Sequence, residues 1–331
     1  MIEMDSKKIH ENIDFVELKK IYKEGQNVTQ YLAQKFSLAN IDAEIIKYAY
    51  DLQAGSYTDF YTKNNSLWEE IGLERAEILR KFGDSPSSLL DGGTGEATTL
   101  TAILNNFSGK PQTIHAFDIS FSRLLFAQAF LKRGRFDGSA VKLAVADLRK
   151  IPYAYNSFDL VITTEAIEPN GGYVEEIISE LFRVARQRII MIEPYYERSS
   201  LEARARMDQH KYVKNLPKVI EKLGGEILAT EELKVNVNSL NPYWAFVVVP
   251  PQKDRSFTSI KNPSTGSTNY QCPISATPLR RMGQVLYSDA SGLAYPVVNE
   301  IALLDRSNFF PANALPVLLK STDSAEVLSV K

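Results

Sequence analysis

The sequence predicts an α/β protein built around a doubly wound parallel sheet, and three observations carry that reading. The apolar run Ser88-Leu89-Leu90 ends in Asp91, passes through Gly92-Gly93-Thr94-Gly95 and continues as a helix from about Ala97. Two later apolar runs, 113–117 and 141–145, also end at an acidic residue, Asp118 and Asp147. From Leu67 onward, helical and strand periodicities alternate, which is the pattern of a sheet with helices on both faces.

The glycine turn is the first candidate site. A buried strand, a tight turn and a helix start allow a ligand to approach closely, with backbone N–H groups expected to point outward. Spacing separates the ligand classes. A phosphate-binding P-loop needs Gly-Lys-Ser/Thr after the turn, where this chain has Glu96-Ala97. A dinucleotide loop needs a third small residue three positions after Gly95, where Thr98 stands. An acidic residue beside the glycines suits a ligand that carries an ammonium as well as a carboxylate. The Asp91-Gly92-Gly93-Thr94-Gly95 run resembles motif I of the class I S-adenosylmethionine-dependent methyltransferases.

That resemblance implies a seven-stranded Rossmann-like sheet over 67–251 with its last strand antiparallel. It also implies that S-adenosyl-L-methionine is the cofactor. Before the sheet, residues 1–66 read as helices. Phe15, Leu18, Ile21 and Tyr22 recur at helical spacing, then Val28, Tyr31 and Leu32, then the stretch from Ile41 to Leu52. Many members of the family fold such a segment over the cofactor as a lid. Tyr57 and Tyr61, four apart, would share one helix face, and Tyr57 is a candidate cofactor contact; the alternative is that both simply pack on the core.

Within the sheet, Asp118 at the tip of the second strand is placed by the resemblance to hold the ribose, with Ile119 against the adenine. The competing reading makes Asp118 an N-cap of the helix that follows. Asp147 and Leu148 end the third strand, and the resemblance assigns Asp147 to the adenine amino group. The order continues with Ile151-Pro152-Tyr153 and Ser157-Phe158-Asp159-Leu160-Val161. The fourth strand empties into Thr163-Thr164-Glu165-Ala166-Ile167-Glu168, which should line the reaction centre, with Thr164 a further cofactor contact. The helix after it carries Glu175, Glu176, Glu180, Arg183 and Arg186, which read as a solvated face.

Methyl transfer asks the protein mainly to hold an acceptor in line with the methyl group, and a hydroxyl acceptor also needs a base. Of three histidines, His10, His115 and His210, only His210 falls in the segment expected to meet the acceptor. Glu165 and Glu193 are the rival bases.

Residues 252–269 are polar and rich in turn formers and mark a boundary. Beyond it, 270–331 (Cys272-Pro273, then Gly292-Leu293-Ala294-Tyr295-Pro296-Val297 and Asn299-Glu300-Ile301) resembles the small zinc-ribbon proteins that activate methyltransferases. Where metal-binding members carry paired cysteines, this chain has Cys272, Ser275, Ser288 and Ser291. Three hydroxyls do not replace three thiolates, so a degenerate ribbon without zinc is expected. It should rest on Leu286, Leu293, Tyr295, Val297, Ile301 and Leu303, packed on the catalytic domain or on a second copy as a homodimer.

Charge and cysteine content narrow the class further. The net charge is −2, so no basic surplus advertises nucleic-acid binding. A single cysteine excludes an intramolecular disulfide, and no apolar run is long enough to span a bilayer, which together suggest a cytoplasmic enzyme. A small-molecule, natural-product or sugar acceptor methylated at oxygen is the expected chemistry. The alternative is an RNA or protein methyltransferase that uses the ribbon-like region for substrate contact. Thr164-Glu165-Ala166-Ile167 stands where amide and base-amine methylators carry an Asn-Pro-Pro-Tyr-like tetrapeptide, which argues against that alternative.

Overall fold

The computed structural model describes residues 12–37, 43–83, 85–109, 111–170, 172–251 and 267–316. His10, Ile41 and most of the expected linker (252–266) lie outside the described residues.

Among the described residues five helices precede the sheet: α1 (Phe15–Lys23), α2 (Val28–Lys35), α3 (Ala43–Leu52), α4 (Ser56–Lys63) and α5 (Asn65–Phe82). Asp14 and Asn27 cap α1 and α2, each accepting from backbone N–H groups of the first turn. Leu18, Ile21, Val28, Leu32, Ile45 and Ile46 bury one face of α1–α3 in a core of their own, and Ile119 packs against its edge. Helix α5 runs through the expected boundary at residue 66. It packs on α6 (Thr98–Asn106) so closely that a Cβ on Gly72 would strike the Ala102 backbone.

The parallel strands are β1 (Ser88–Gly92), β2 (Thr113–Asp118), β3 (Val141–Val145), β4 (Phe158–Thr164) and β5 (Ala185–Pro194). Then come β6 (Glu226–Glu232) and β7 (Tyr243–Val249), with β7 inserted antiparallel between β5 and β6. The helices between them include α7 (Phe121–Leu131), α8 (Val174–Val184), α9 (Leu201–Gln209) and α10 (Leu216–Lys222). Strands β1, β4 and β5 are buried nearly throughout, as a sheet covered on both faces requires.

The sheet does not stop at seven strands. It has thirteen, in the order β6-β7-β5-β4-β1-β2-β3-β12-β11-β10-β9-β8, with β13 (Phe310–Pro311) beside β11. Strand β12 (Ile301–Leu303) pairs parallel with β3, and the remainder is antiparallel: β8 (Ser267–Gln271), β9 (Pro278–Met282), β10 (Val285–Tyr287) and β11 (Leu293–Val298). The free edge of β3 is thus covered rather than exposed. Tyr270, Cys272, Leu286, Tyr295 and Val297 belong to the same core cluster as Tyr153, Phe158 and Phe246. These C-terminal strands therefore pack on the catalytic sheet itself. Tyr270 stacks on Tyr153 with ring centroids 5.2 Å apart and meets His115 edge-on.

Where a metal ribbon would place its four ligands, hydrogen bonds join the two turns. Cys272 Sγ accepts from Ser275 N at 3.3 Å, Ser275 Oγ pairs with Thr277 Oγ1, and Thr277 Oγ1 pairs with Ser288 Oγ at 2.6 Å. Among the described residues no group of His, Cys, Asp and Glu could hold a metal ion.

The expected solvated face of α8 holds for Glu175, Glu176 and Arg186, which are exposed, but not for Glu180 and Arg183. Glu180 accepts from Ile151 N at 2.8 Å, and Arg183 donates to the carbonyls of Ile151 and Tyr153. Arg186, just beyond the helix, binds Asp159 and Asn156 O. Glu180 and Arg183, both partly buried, clamp the 151–156 loop from one side, while Pro152 O accepts from Gln271 N of β8 on the other.

Replacing Tyr270 with alanine should remove about 3 kcal/mol or more of stability, as for other buried aromatics. Urea unfolding of the full chain checks this. A loss under about 1 kcal/mol would mean that the C-terminal strands are docked without being part of the core.

Candidate functional site

The glycine turn is pinned to the end of β2. Gly93 N and Thr94 N both donate to Phe117 O at 2.9 Å, and Gly95 N donates to Asp118 Oδ2 at 2.9 Å. The turn's N–H groups are therefore directed inward to β2 and not outward as expected. Gly93 has φ +74°, and a Cβ there would strike Ala166 after β4, so two loops meet across a position that only glycine fits.

A pocket opens beside this turn at the carboxyl ends of the strands. Gly93, Phe117, Asp118 and Ile119 form one side, and Ala146, Asp147 and Leu148 another. Glu165, Ala166, Pro169 and Asn170 come from the loop after β4, and α3 covers it with Ala43, Ile46 and Tyr50. Of the expected cofactor residues, Gly93, Asp118, Ile119, Asp147 and Leu148 are thus brought together. Asp91 and Gly92 lie in β1 just behind, and Thr94 and Gly95 complete the turn. Thr164 ends β4 next to Glu165.

Burial raises the acidic groups here. Asp91 is pushed up to about 7 by burial, with Asp118 beside it, and Asp118 is also raised by burial despite Arg123. Asp118 does not cap α7; Ser120 does, accepting from Arg123 N, while Asp118 Oδ1 accepts from Ser120 N. Asp147 receives three N–H groups of Arg149 at 2.8–2.9 Å, so its carboxylate is already held.

The three candidate bases fall in different places. Glu165, with φ +57°, lines the pocket, pairs with Arg75 Nη2 at 3.4 Å and hydrogen-bonds Tyr243; burial raises its pKa, and Arg75 opposes this. Glu193 is fully enclosed. Its carboxylate accepts from Thr163 Oγ1 and from the backbone N–H groups of Ala166, Ile167 and Glu168 at 3.0–3.2 Å, and burial pushes it up to about 7. It shapes the loop that carries Glu165 and does not line the pocket. His210 caps the end of α9 outside the pocket lining, half-buried, with its pKa lowered by burial and Arg206. Tyr212, 5.6 Å from the His210 ring, hydrogen-bonds Glu168.

Several residues of the site went unnoticed in the sequence. Arg123 lies between the rings of Tyr50 (4.3 Å) and Tyr57 (5.0 Å), donates to Tyr50 O and approaches Gln53. Tyr57 is 43% exposed and flanks the pocket through this stack. Arg75, 1% exposed, has Nε and Nη1 unpartnered. Asn241 joins Glu168 to Tyr243 at 3.1 and 2.6 Å. None stands in a recognisable local pattern; each is placed by a helix or strand distant in sequence. The asparagine in the Asn241-Pro242 turn, directly before β7, was the nearest thing to a signal.

Residues 84–243 match the family model described as a methyltransferase domain. That match identifies a methyltransferase domain, and the protein is a methyl-transferring enzyme. Its cofactor is S-adenosylmethionine. No curated protein matches the chain. Among solved structures, it is similar to the geranyl diphosphate C-methyltransferase of Streptomyces coelicolor (12% identity, 53% of this chain and 78% of that one, TM-score 0.43). It is also similar to a SAM-dependent methyltransferase from Aquifex aeolicus (16%, 54% and 92%, TM-score 0.41). A third is the complex between the Haloferax volcanii Trm112 methyltransferase activator and the putative methyltransferase (12%, 60% and 97%, TM-score 0.47). At these identities and TM-scores, the three add nothing to the family model. No helix among the described residues is long and apolar enough to cross a membrane.

The pocket's own chemistry fits that cofactor. An apolar slot (Ile46, Phe117, Ile119, Leu148, Pro169) suits a base, and carboxylates at two strand tips suit the polar atoms of a nucleoside. Buried acidic groups around it favour a cation such as a sulfonium.

Two measurements follow. Asp91 keeps its proton to about pH 7 in the fold but only to about 4 when unfolded, so its contribution is full below pH 4 and is lost as pH rises through 7. Asp91→Asn should therefore gain roughly 1–3 kcal/mol on the parent between pH 4 and 8 in urea unfolding. An unchanged gap would rule this out. Glu193→Gln places an amide NH2 among four donors and should cost about 2–4 kcal/mol, read by the same method.

Proposed function

We propose that the acceptor is a small molecule, such as a natural product or a sugar, methylated at a hydroxyl oxygen, and that Glu165 is the base. The observation that carries this is the position of Glu165. It borders the cofactor pocket on one side. On the other it meets Arg75, Tyr243 and Tyr61. A hydroxyl acceptor must lose a proton as its oxygen attacks, and a carboxylate with a pKa raised towards neutrality accepts that proton better than an ordinary one. The Arg75 guanidinium opposes the effect of burial and so favours the ionised form of Glu165 that a base requires.

Bound at the glycine turn, S-adenosylmethionine supplies a methyl group already activated on sulfur. Asp118 would hold the ribose hydroxyls and Asp147 the adenine amino group, with Ile119 and Leu148 against the ring. Helix α3 excludes water from above through Ile46 and Tyr50. Beyond Glu165, Tyr57, Tyr61 and Tyr243 and the carboxyl of Glu168 lie close enough to interact with it electrostatically, and Tyr212 hydrogen-bonds Glu168. Burial and the neighbouring Glu165 and Glu193 raise Glu168 well above the usual carboxylate range, and its Oε2 accepts from Asn241 Nδ2. His210 approaches these residues only through Tyr212.

Label transfer from S-adenosylmethionine into fractionated small-molecule extracts, followed by identification of the product, tests the reading. Glu165→Gln should lower turnover about 100-fold or more while S-adenosylhomocysteine affinity, measured by calorimetry, changes by less than about tenfold. Undiminished turnover would remove Glu165 as the base, and label found only in RNA or protein would remove the small-molecule acceptor.

A further inference from the structure

Helix α4 has no cap of its own. It starts at Gly55, φ +97°, and no side chain of its own segment covers the first turn. Gly55 is also wedged against α7, where an added Cβ would sit 2.8 Å from the Phe126 ring. The cap comes from across the fold. Glu96 Oε1 accepts from Gly55 N at 2.9 Å and, more weakly, from Tyr57 N at 3.4 Å, and Glu96 Oε2 accepts from Thr58 N at 2.7 Å. Glu96 is 1% exposed, and both of its carboxylate oxygens accept from this helix start. A buried carboxylate satisfied by a helix N-terminus is a strong, directional tie.

The residue before it is Gly95, whose N–H is held by Asp118 inside the cofactor turn. One peptide bond therefore separates the turn from the side chain that fixes α4. Helix α4 carries Tyr57, against Arg123 at the pocket edge, and Tyr61, 5% exposed and beside Glu165 and Arg75. Both ends of the connection are functional surfaces.

We propose that Glu96 is a positioning residue that couples occupancy of the glycine turn to the start of α4, so that cofactor binding orders the wall bearing Tyr57 and Tyr61. The proposal rests on the pocket beside Gly93 being the cofactor's.

Hydrogen exchange on the full chain, with and without saturating S-adenosylhomocysteine, reads the coupling directly. In the parent, the amides of Gly55, Tyr57 and Thr58 should exchange about tenfold more slowly with the nucleoside bound. In Glu96→Gln and Glu96→Asp, that gain should fall below about twofold while the calorimetric Kd stays within about threefold of the parent. The shorter aspartate keeps the charge and loses the reach. Parent amides indifferent to bound nucleoside would overturn the coupling, and so would variants that keep the gain. Variants that lose nucleoside affinity and protection throughout the domain together would reduce Glu96 to a structural role and overturn it too. A parent that does not bind S-adenosylhomocysteine at all overturns the cofactor pocket, and the coupling with it.

Discussion

The contact on which the rest of the site depends is the one between the glycine turn and the end of β2. One carbonyl, Phe117 O, takes two N–H groups of the turn, and one carboxylate, Asp118, takes a third. Three bonds on adjacent residues leave the turn a single conformation. From that point Gly93 can touch Ala166, Glu96 can reach α4, and Asp118 faces the pocket. Each hydrogen bond to a charged acceptor is worth about 1.5–3 kcal/mol, enough to hold a turn that exposes little apolar surface.

Buried carboxyls dominate the chemistry, and their environments divide them by role. Glu193 receives four donors and serves the loop; Glu96 receives three and serves a helix. Glu165 has a long ion pair, a tyrosine partner and access to the pocket. Burying a carboxylate costs several kcal/mol unless it is fully hydrogen-bonded, so the fully satisfied ones are fixed in place, and Glu165 is the one proposed as the base. The same reasoning separates Glu165 from His210, which lies at the end of α9 with Tyr212 between it and Glu168.

The C-terminal strands alter what the sheet is. An outer parallel strand such as β3 presents unpaired backbone groups along one side, and β12 satisfies them. Leu304 N continues the pairing to Val145 O, directly before the pocket residues Ala146 and Asp147. Asp305, one residue on, stands 3.6 Å from Lys47 of α3, the helix over the pocket. The strands therefore brace the pocket side of the molecule from its edge through a continuous core.

Strand tips were legible in the sequence because they obey local rules. An apolar run of strand length followed by an acidic residue locates Asp91, Asp118 and Asp147 without any tertiary knowledge. Only the tertiary structure decided the rest: that Arg123 lies between two tyrosines of the N-terminal segment, that Glu96 caps a helix some forty residues earlier, and that the sheet continues through β12. Those contacts join segments far apart in the chain, and periodicity, which reports which face of an element is buried, carries no information on what buries it.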